Sequence, residues 1–532
     1  MLVIARTFTS LIRVLESLDV FRDDFRLRLR FCFDDTSAFR RGVAELLSRL
    51  ETPQVAWDEA VKGEYDLIIT ASENVDLSPF AAPVVVLPHG VGFQKHVPDS
   101  HSDGRRLSGV VPEASRNSAD VRPVVSHPDQ RERLRSISPR LAGHTTVIGD
   151  LAYDRVRAGL RLRDRYRDAL GVAPDERLVV LTSTWKDESA VGVRNDLPAR
   201  LLAGLPVDGH RVATVLHPNI WFEHGPWEVR RFYRSALEAG LLLLPPDDGW
   251  GAALAAADCV IGDHGSVTLY AAGADRPLLL AAFGDEAVPG TAIARLAEQT
   301  GRLDLRAPLG PQIDRAVAAH VPGQHRATVD RAFAHVGEAA ARFSAMCYGL
   351  LGLDAPEGGA RTLAPGPPVP RHHRGVTAFE VRSHIDPDGD VHVARYPAAV
   401  RSVREEPDGL RHLCVAESET DSRFADNASV VHLDAEPAGP ADAERRRLLD
   451  LFPAALLSAT PVGGGCDCLV RGGGTVRVRS AAGTALPTLT GVVYTLLRTG
   501  RLTNGDVRLR LDGVPGRAAA TPIRVDVEPP PG

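Results

Sequence analysis

The feature that most constrains this chain is an alternation of short, uninterrupted apolar runs with amphipathic stretches, carried through twice. Residues 3–5, 27–33, 65–70 and 83–87 predict strands; 3–5 and 83–87 are apolar throughout, and charge enters the other two only at Arg28, Arg30 and Asp66. Between them, Leu11, Val14, Leu15 and Leu18 share one helical face behind a Thr9 or Ser10 cap, and 38–50 predicts a second helix. Continuously apolar strands are buried on both faces, which calls for a parallel sheet covered by helices. After Gly149 the pattern restarts, with a helix over 163–170 and strands at 178–182, 212–216, 241–244, 259–261 and 277–281. Two Rossmann-like, doubly wound halves in tandem leave a cleft between them. The carboxyl ends of the strands face that cleft, so chemistry is expected from residues directly after each strand.

At 532 residues the chain is too long for one core. The predicted division is a first lobe over 1–148, a second over 149–350 ending in a long helix at 327–350, and a Pro/Gly-rich linker over 351–375. A smaller α+β domain comes next, over 376–528, with a frayed tail after it. Its strands are expected at 379–382, 391–396, 468–471, 476–479 and 507–511, and its helices at 441–457 and 486–498. Asp386-Pro-Asp-Gly-Asp390 reads as a hairpin turn, and it lacks the ordered glutamate of an EF-hand calcium loop.

Several function classes fall away. A net charge of −6 gives no reason to expect nucleic acid as a partner. No apolar run approaches the roughly 18 residues of a membrane span, and the apolar amino terminus is too short for a signal peptide. Six irregularly spaced cysteines suit a reduced, cytoplasmic protein, and one C-x-C pair makes no metal site, so neither metal nor cofactor is expected. Peripheral contact with the inner face of a membrane would fall to the basic stretch Arg22 to Arg30 and to Arg40-Arg41, although solvated surface charge is the simpler reading. Neither a G-x-x-x-x-G-K-[ST] loop nor a G-x-G-x-x-G turn after the first strand is present, which sets aside P-loop NTPases and dinucleotide oxidoreductases.

Five strand-end motifs remain. His89-Gly90, with Lys95 beyond, offers a general base and a phosphate-binding cation beside glycines that permit close approach. Gly149 to Asp154 marks the crossing between lobes. Thr184-Trp185-Lys186-Asp187 supplies a hydroxyl, an aromatic platform and one of only three lysines in the chain. His217-Pro218 places a second histidine at a strand end. Asp263-His264-Gly265-Ser266 then opens a helix whose unpaired N–H groups favour phosphate.

The order H-G-x-x-x-x-K, G-x-x-x-x-D, T-W-K-D, H-P and D-x-x-x-x-D-x-x-S-V resembles the CDP-glycerol glycerophosphotransferases, teichoic-acid-type polymerases of the GT-B fold, over about two fifths of the chain. The resemblance implies that His89 is the catalytic base and His217 the second functional histidine. It places Asp154 at the close of the inter-lobe motif, Thr184, Trp185 and Lys186 on the donor, and Ser266 on the donor phosphates. Three positions depart from the pattern: Pro88 replaces the usual Trp, Lys95 lies one place further from the histidine, and Asp263 to Ser266 is nearer the D-S-G-G of UDP-N-acetylglucosamine 2-epimerases. The carboxy-terminal domain resembles no named family.

The resulting expectation is a transferase that moves a glycerophosphate or glycosyl group from a nucleoside-diphosphate donor on the second lobe to a hydroxyl acceptor on the first. The acceptor would be a polymer, a lipid-linked chain or a small molecule, and cell-envelope polymer synthesis is the natural setting. Two alternatives stay open. One is a UDP-sugar glycosyltransferase or 2-epimerase using Glu73, Asp285 or Glu286; the other is a non-catalytic GT-B scaffold that binds a nucleotide or anionic polymer.

Overall fold

In the computed structural model, the described residues are 1–37, 42–98, 104–113, 119–371, 375–400, 409–480, 483–516 and 519–530. Arg40 and Arg41, two of the six arginines of the candidate basic patch, lie outside them.

The first sheet contains β1 (Leu2–Ala5), β2 (Arg30–Phe33), β3 (Gln54–Val55), β4 (Ile68–Thr70) and β5 (Val84–Val86). A small hairpin comes next, β6 (His96–Pro98) and β7 (Arg105–Leu107), and the sheet is completed by β8 (Val121–Val125) and β9 (Thr146–Val147). Its order is β3-β2-β1-β4-β5-β8-β9, with every pair parallel. The apolar runs are continuous because both faces are covered. Leu2 and Ile4 pack into one core while Val3 and Ala5, their alternates, pack into the other. The helix after β1 is Phe8–Leu18, starting earlier than the sequence suggested. Thr7 is its cap, in a reciprocal capping box with Ser10.

The second sheet, β10 (Arg177–Ser183), β11 (His210–Leu216), β12 (Leu242–Leu243), β13 (Cys259–Gly262) and β14 (Leu278–Leu280), is also wholly parallel, in the order β12-β11-β10-β13-β14. The chain enters this half at Gly149, whose φ of +91° is left-handed; a Cβ there would sit 2.6 Å from the Ala334 carbonyl oxygen. The helix expected to finish this lobe is shorter, Ala339–Leu351, and packs elsewhere. Ala340, Phe343, Cys347 and Tyr348 join the core of the first lobe with Val3 and Leu11. The chain therefore returns to the first lobe before leaving both.

Residues 352–371 form no regular structure yet are held against the second lobe. The Tyr166 hydroxyl donates to the Pro365 carbonyl at 2.6 Å, and the Arg371 amide donates to the Leu243 carbonyl at 3.0 Å.

The carboxy-terminal region combines strands and helices, as expected, but its strands close on themselves. They are β15 (Ala378–Ile385), β16 (Val391–Pro397), β17 (Leu410–Ala416), β18 (Val430–His432), β19 (Leu457–Val462), β20 (Gly465–Val470), β21 (Thr475–Ser480), β22 (Gly505–Leu511) and β23 (Thr521–Glu528). They form a barrel in the order β15-β16-β22-β23-β21-β20-β19-β18-β17, which β17 completes by pairing with β15. Helix Leu486–Arg498 occupies the interior: Pro487 through Leu496 are all buried, and a Cβ on Gly491 would lie 3.1 Å from Val381 of β15. A helix apolar on every side needs such a surrounding wall. The barrel is fastened to the second lobe by Arg395, whose guanidinium donates two hydrogen bonds to the Asp208 carboxylate.

Candidate active site

The carboxyl ends of β4, β5, β10, β11 and β13 converge on a cleft of about 490 Å³ between the lobes. Its lining includes His89, Lys95, Thr184, Trp185, Lys186, His217, Gly265 and Ser266, so eight of the residues singled out from the sequence meet in one place. Gly149, Asp154 and Asp263 do not line it.

Asp263 is buried beneath the wall and organises it. Its carboxylate accepts hydrogen bonds from the Thr184 amide at 2.7 Å, the Thr184 hydroxyl at 2.8 Å, the Ala190 amide at 3.0 Å and the Gly265 amide at 2.9 Å. One carboxylate thus ties the loop after β10 to the loop after β13, and the Thr184 hydroxyl is committed to that anchor. Asp154 works similarly at a distance: it accepts from the amides of Gly337 and Ala339, capping the helix that returns to the first lobe.

On the first-lobe wall, His89 stands in the loop after β5 with its side chain 46% exposed, its Nδ1 3.5 Å from an oxygen of Glu73. Glu73 lies just past β4 and is buried. Burial alone would raise its carboxyl; His89 and Arg106 outweigh that and hold it well below the ordinary carboxylate range. Arg106, on β7, lies 3.4 Å from the same carboxylate, and the Gly109 amide donates to it at 3.3 Å. A fixed anion at Nδ1 favours the tautomer with its proton there, which leaves Nε2 as the acceptor nitrogen. Sequence reasoning considered Glu73 only for sugar chemistry and missed Arg106. The strand-end rule points to Glu73, but nothing in the spacing links either residue to His89.

On the second-lobe wall, His217 caps helix Pro218–His224 by accepting the Asn219 amide on Nδ1 at 3.1 Å. Its neutral form therefore carries the proton on Nε2 and donates. Burial, with Lys95 and His89 nearby, pushes its pKa down to about 3. The Trp185 ring stacks toward it at 6.3 Å, and the Lys186 ammonium lies 4.5 Å from the Trp185 ring. Lys95 is also driven down by burial, against the raising influence of Asp263 and Glu286.

The two walls are joined beside the cleft. Ser266 accepts the Val91 amide at 3.0 Å, and a Cβ on Gly90 would lie 2.7 Å from that hydroxyl, so this crossing admits only glycine without a shift. The His96 amide donates to the Glu286 carbonyl and the Val288 amide to the Gln94 carbonyl, at 2.8 and 2.9 Å. A third crossing runs along the floor, where Arg13 donates to the Tyr270 hydroxyl, which donates in turn to Asp150. Arg13 and Tyr270 were not read from the sequence, because their pairing spans most of the first two lobes.

No protein-family model matches the chain, and no curated protein matches it in sequence. Solved structures are similar to it at a distance. A histidine-to-alanine variant of the wall teichoic acid polymerase TagF aligns over 66% of this chain and 88% of its own, at 14% identity and a TM-score of 0.44. The S. aureus MnaA–UDP co-structure covers 68% of this chain and 99% of that one, at 13% identity and a TM-score of 0.39. HepE of Anabaena in complex with UDP covers 66% and 100%, at 15% identity and a TM-score of 0.36. Likeness this distant carries no assignment of chemistry, which rests on the residues of the cleft themselves.

Proposed function

We propose that the chain is a transferase that moves a group from a nucleoside-diphosphate donor to a hydroxyl acceptor, with His89 as general base. The observation that carries this reading is the His89–Glu73 pair facing Lys186 and a neutral His217 across one cleft. The acceptor oxygen attacks the donor phosphorus as its proton passes to His89 Nε2, and Glu73 stabilises the imidazolium that results. The bond to the departing nucleotide breaks with its electron pair on the phosphate oxygen. Lys186 and the Nε2–H of His217 would offset that charge. The Trp185 face would take the base.

Motif order supports the finer assignment, glycerophosphate transfer from CDP-glycerol in cell-envelope polymer synthesis. For a sugar enzyme, the favouring observation is Glu286 on the second-lobe wall. Its oxygen lies 3.5 Å from His264 Nε2, and that hydrogen bond, against partial burial, keeps the carboxyl low and ionised.

Calorimetry with CDP, UDP, CDP-glycerol and UDP-N-acetylglucosamine, combined with chromatography of released nucleotide, tests both readings. Micromolar binding of cytidine ligands and release of CMP from CDP-glycerol is the expected result. Preference for uridine ligands with no phosphodiester product would transfer the assignment to the sugar enzymes. Failure to bind any of the four would overturn a nucleotide donor and leave the scaffold reading.

A further inference from the structure

We propose that the barrel carries a binding site for a first-row divalent transition metal, of which zinc is the representative, built from His384, His392 and Asp512. The three side chains come from neighbouring strands at one end of the barrel. His384 and His392 are directly opposite each other in the β15/β16 pairing, and Asp512 lies immediately after β22, which pairs with β16. Each can offer a ligand atom, and the three atoms lie within 4.8 Å of one another. Individually, His392 Nδ1 is 2.6 Å from one Asp512 oxygen, and His384 Nδ1 is 3.9 Å from the other.

A fourth residue gives the cluster the form of a metal site. The other ring nitrogen of His392, Nε2, lies 3.1 Å from an Asp386 oxygen. A histidine whose far nitrogen is held by a carboxylate while the near one faces further donors is the usual support for a ligating imidazole, since the carboxylate orients the ring and raises its basicity. Asp386 is itself fixed, accepting the Asp390 amide across the hairpin turn. Among the described residues, the ion-pair partners of Asp386 and Asp512 are imidazoles, not lysine or arginine. Two nitrogens and a carboxylate suit zinc and its neighbours and disfavour calcium or magnesium, which take oxygen ligands.

The histidine rings are nearly parallel, 4.4 Å apart with 20° between planes. A metal lies in the plane of each ligating ring, so His384 must turn about its side-chain bonds to close the site. Its side chain is 45% exposed, which leaves room for that turn. Three protein donors leave a fourth tetrahedral position toward solvent, open to water or to an exogenous ligand. The site stands apart from the inter-lobe cleft and does not depend on the transferase reading.

The test is titration of the full-length, metal-stripped protein with zinc chloride by calorimetry, with bound metal counted by mass spectrometry. One zinc per chain is expected, together with a rise in melting temperature on loading. His392→Ala and Asp512→Asn should abolish both, and Asp386→Asn should weaken binding about 10–100-fold. His384→Ala, at the most exposed of the ligands, serves if His392→Ala fails to fold, judged by its metal-free melt. Absence of micromolar zinc binding, equal binding in His392→Ala or His384→Ala, or calcium binding as tight as zinc would overturn the proposal.

Discussion

His89 on the first-lobe wall and His217 on the second occupy equivalent places, each just beyond the end of a parallel strand, yet their surroundings differ in kind. His89 faces solvent on one side and a buried, ionised Glu73 on the other. His217 is partly buried at the cleft, has Lys95 and His89 as its electrostatic neighbours, and uses Nδ1 to cap its own helix. The contrast teaches that two histidines at equivalent strand ends meet different electrostatic surroundings according to what lies through space. At His217, desolvation beside Lys95 suppresses proton uptake.

The sharpest way to break the contrast is to remove each partner of the first wall in turn. His89→Ala should lower turnover about 10²–10⁴-fold while nucleotide affinity stays nearly unchanged. Glu73→Gln, which keeps the shape but not the charge, should lower turnover by less and leave KM in place. Steady-state kinetics with calorimetry on the same preparations would decide. Full activity in Glu73→Gln would reduce the pair to a structural contact.

His217 sharpens the comparison through pH. Its folded-state pKa is about 3, below the ordinary value near 6.5. Between those values the unfolded chain binds a proton that the folded chain refuses. Stability from this group is therefore complete above about pH 6.5 and declines as pH falls toward 3. Urea unfolding at about pH 7.5 and about pH 5 should show wild type losing more stability between the two than His217→Asn, a substitution that keeps an acceptor for the helix cap. Equal losses would mean that His217 is protonated in the fold, like an ordinary exposed histidine.

The smallest expected effect concerns the seam between the walls. Ser266→Ala removes the acceptor of the Val91 amide, a loss of about 1 kcal/mol, so donor affinity should fall about fivefold or less with turnover of bound donor preserved. A loss of turnover exceeding the loss of affinity would mean that Ser266 acts on the donor itself, as the motif resemblance implies.

Much of the cleft was legible because strand ends in a doubly wound sheet lead to one place. His89, Lys95, Trp185, Lys186, His217 and Ser266 were all found by looking just past the end of an apolar run. Asp263 was found by the same rule, but the structure puts it behind the wall, where five hydrogen bonds consume its carboxylate. Arg106 could not be found that way, since it sits on a two-strand hairpin outside the sheet that reaches back toward Glu73. The helix Leu486–Arg498 was read with its correct bounds, and its lack of a polar face was a sign of full enclosure. What encloses it was not visible, because strands that close a barrel carry the same alternation as strands of an open sheet.

The amino-acid sequence by itself determined the periodic elements, the parallel character of both sheets and the strand-end positions of the candidate residues, since backbone geometry and local apolar pattern act over a few residues. The tertiary structure alone decided which lobe receives helix Ala339–Leu351, that nine strands close around a helix, and that His217 is held neutral. Those outcomes depend on desolvation and on charges brought within a few ångströms from distant parts of the chain, a distance that order along the chain does not encode.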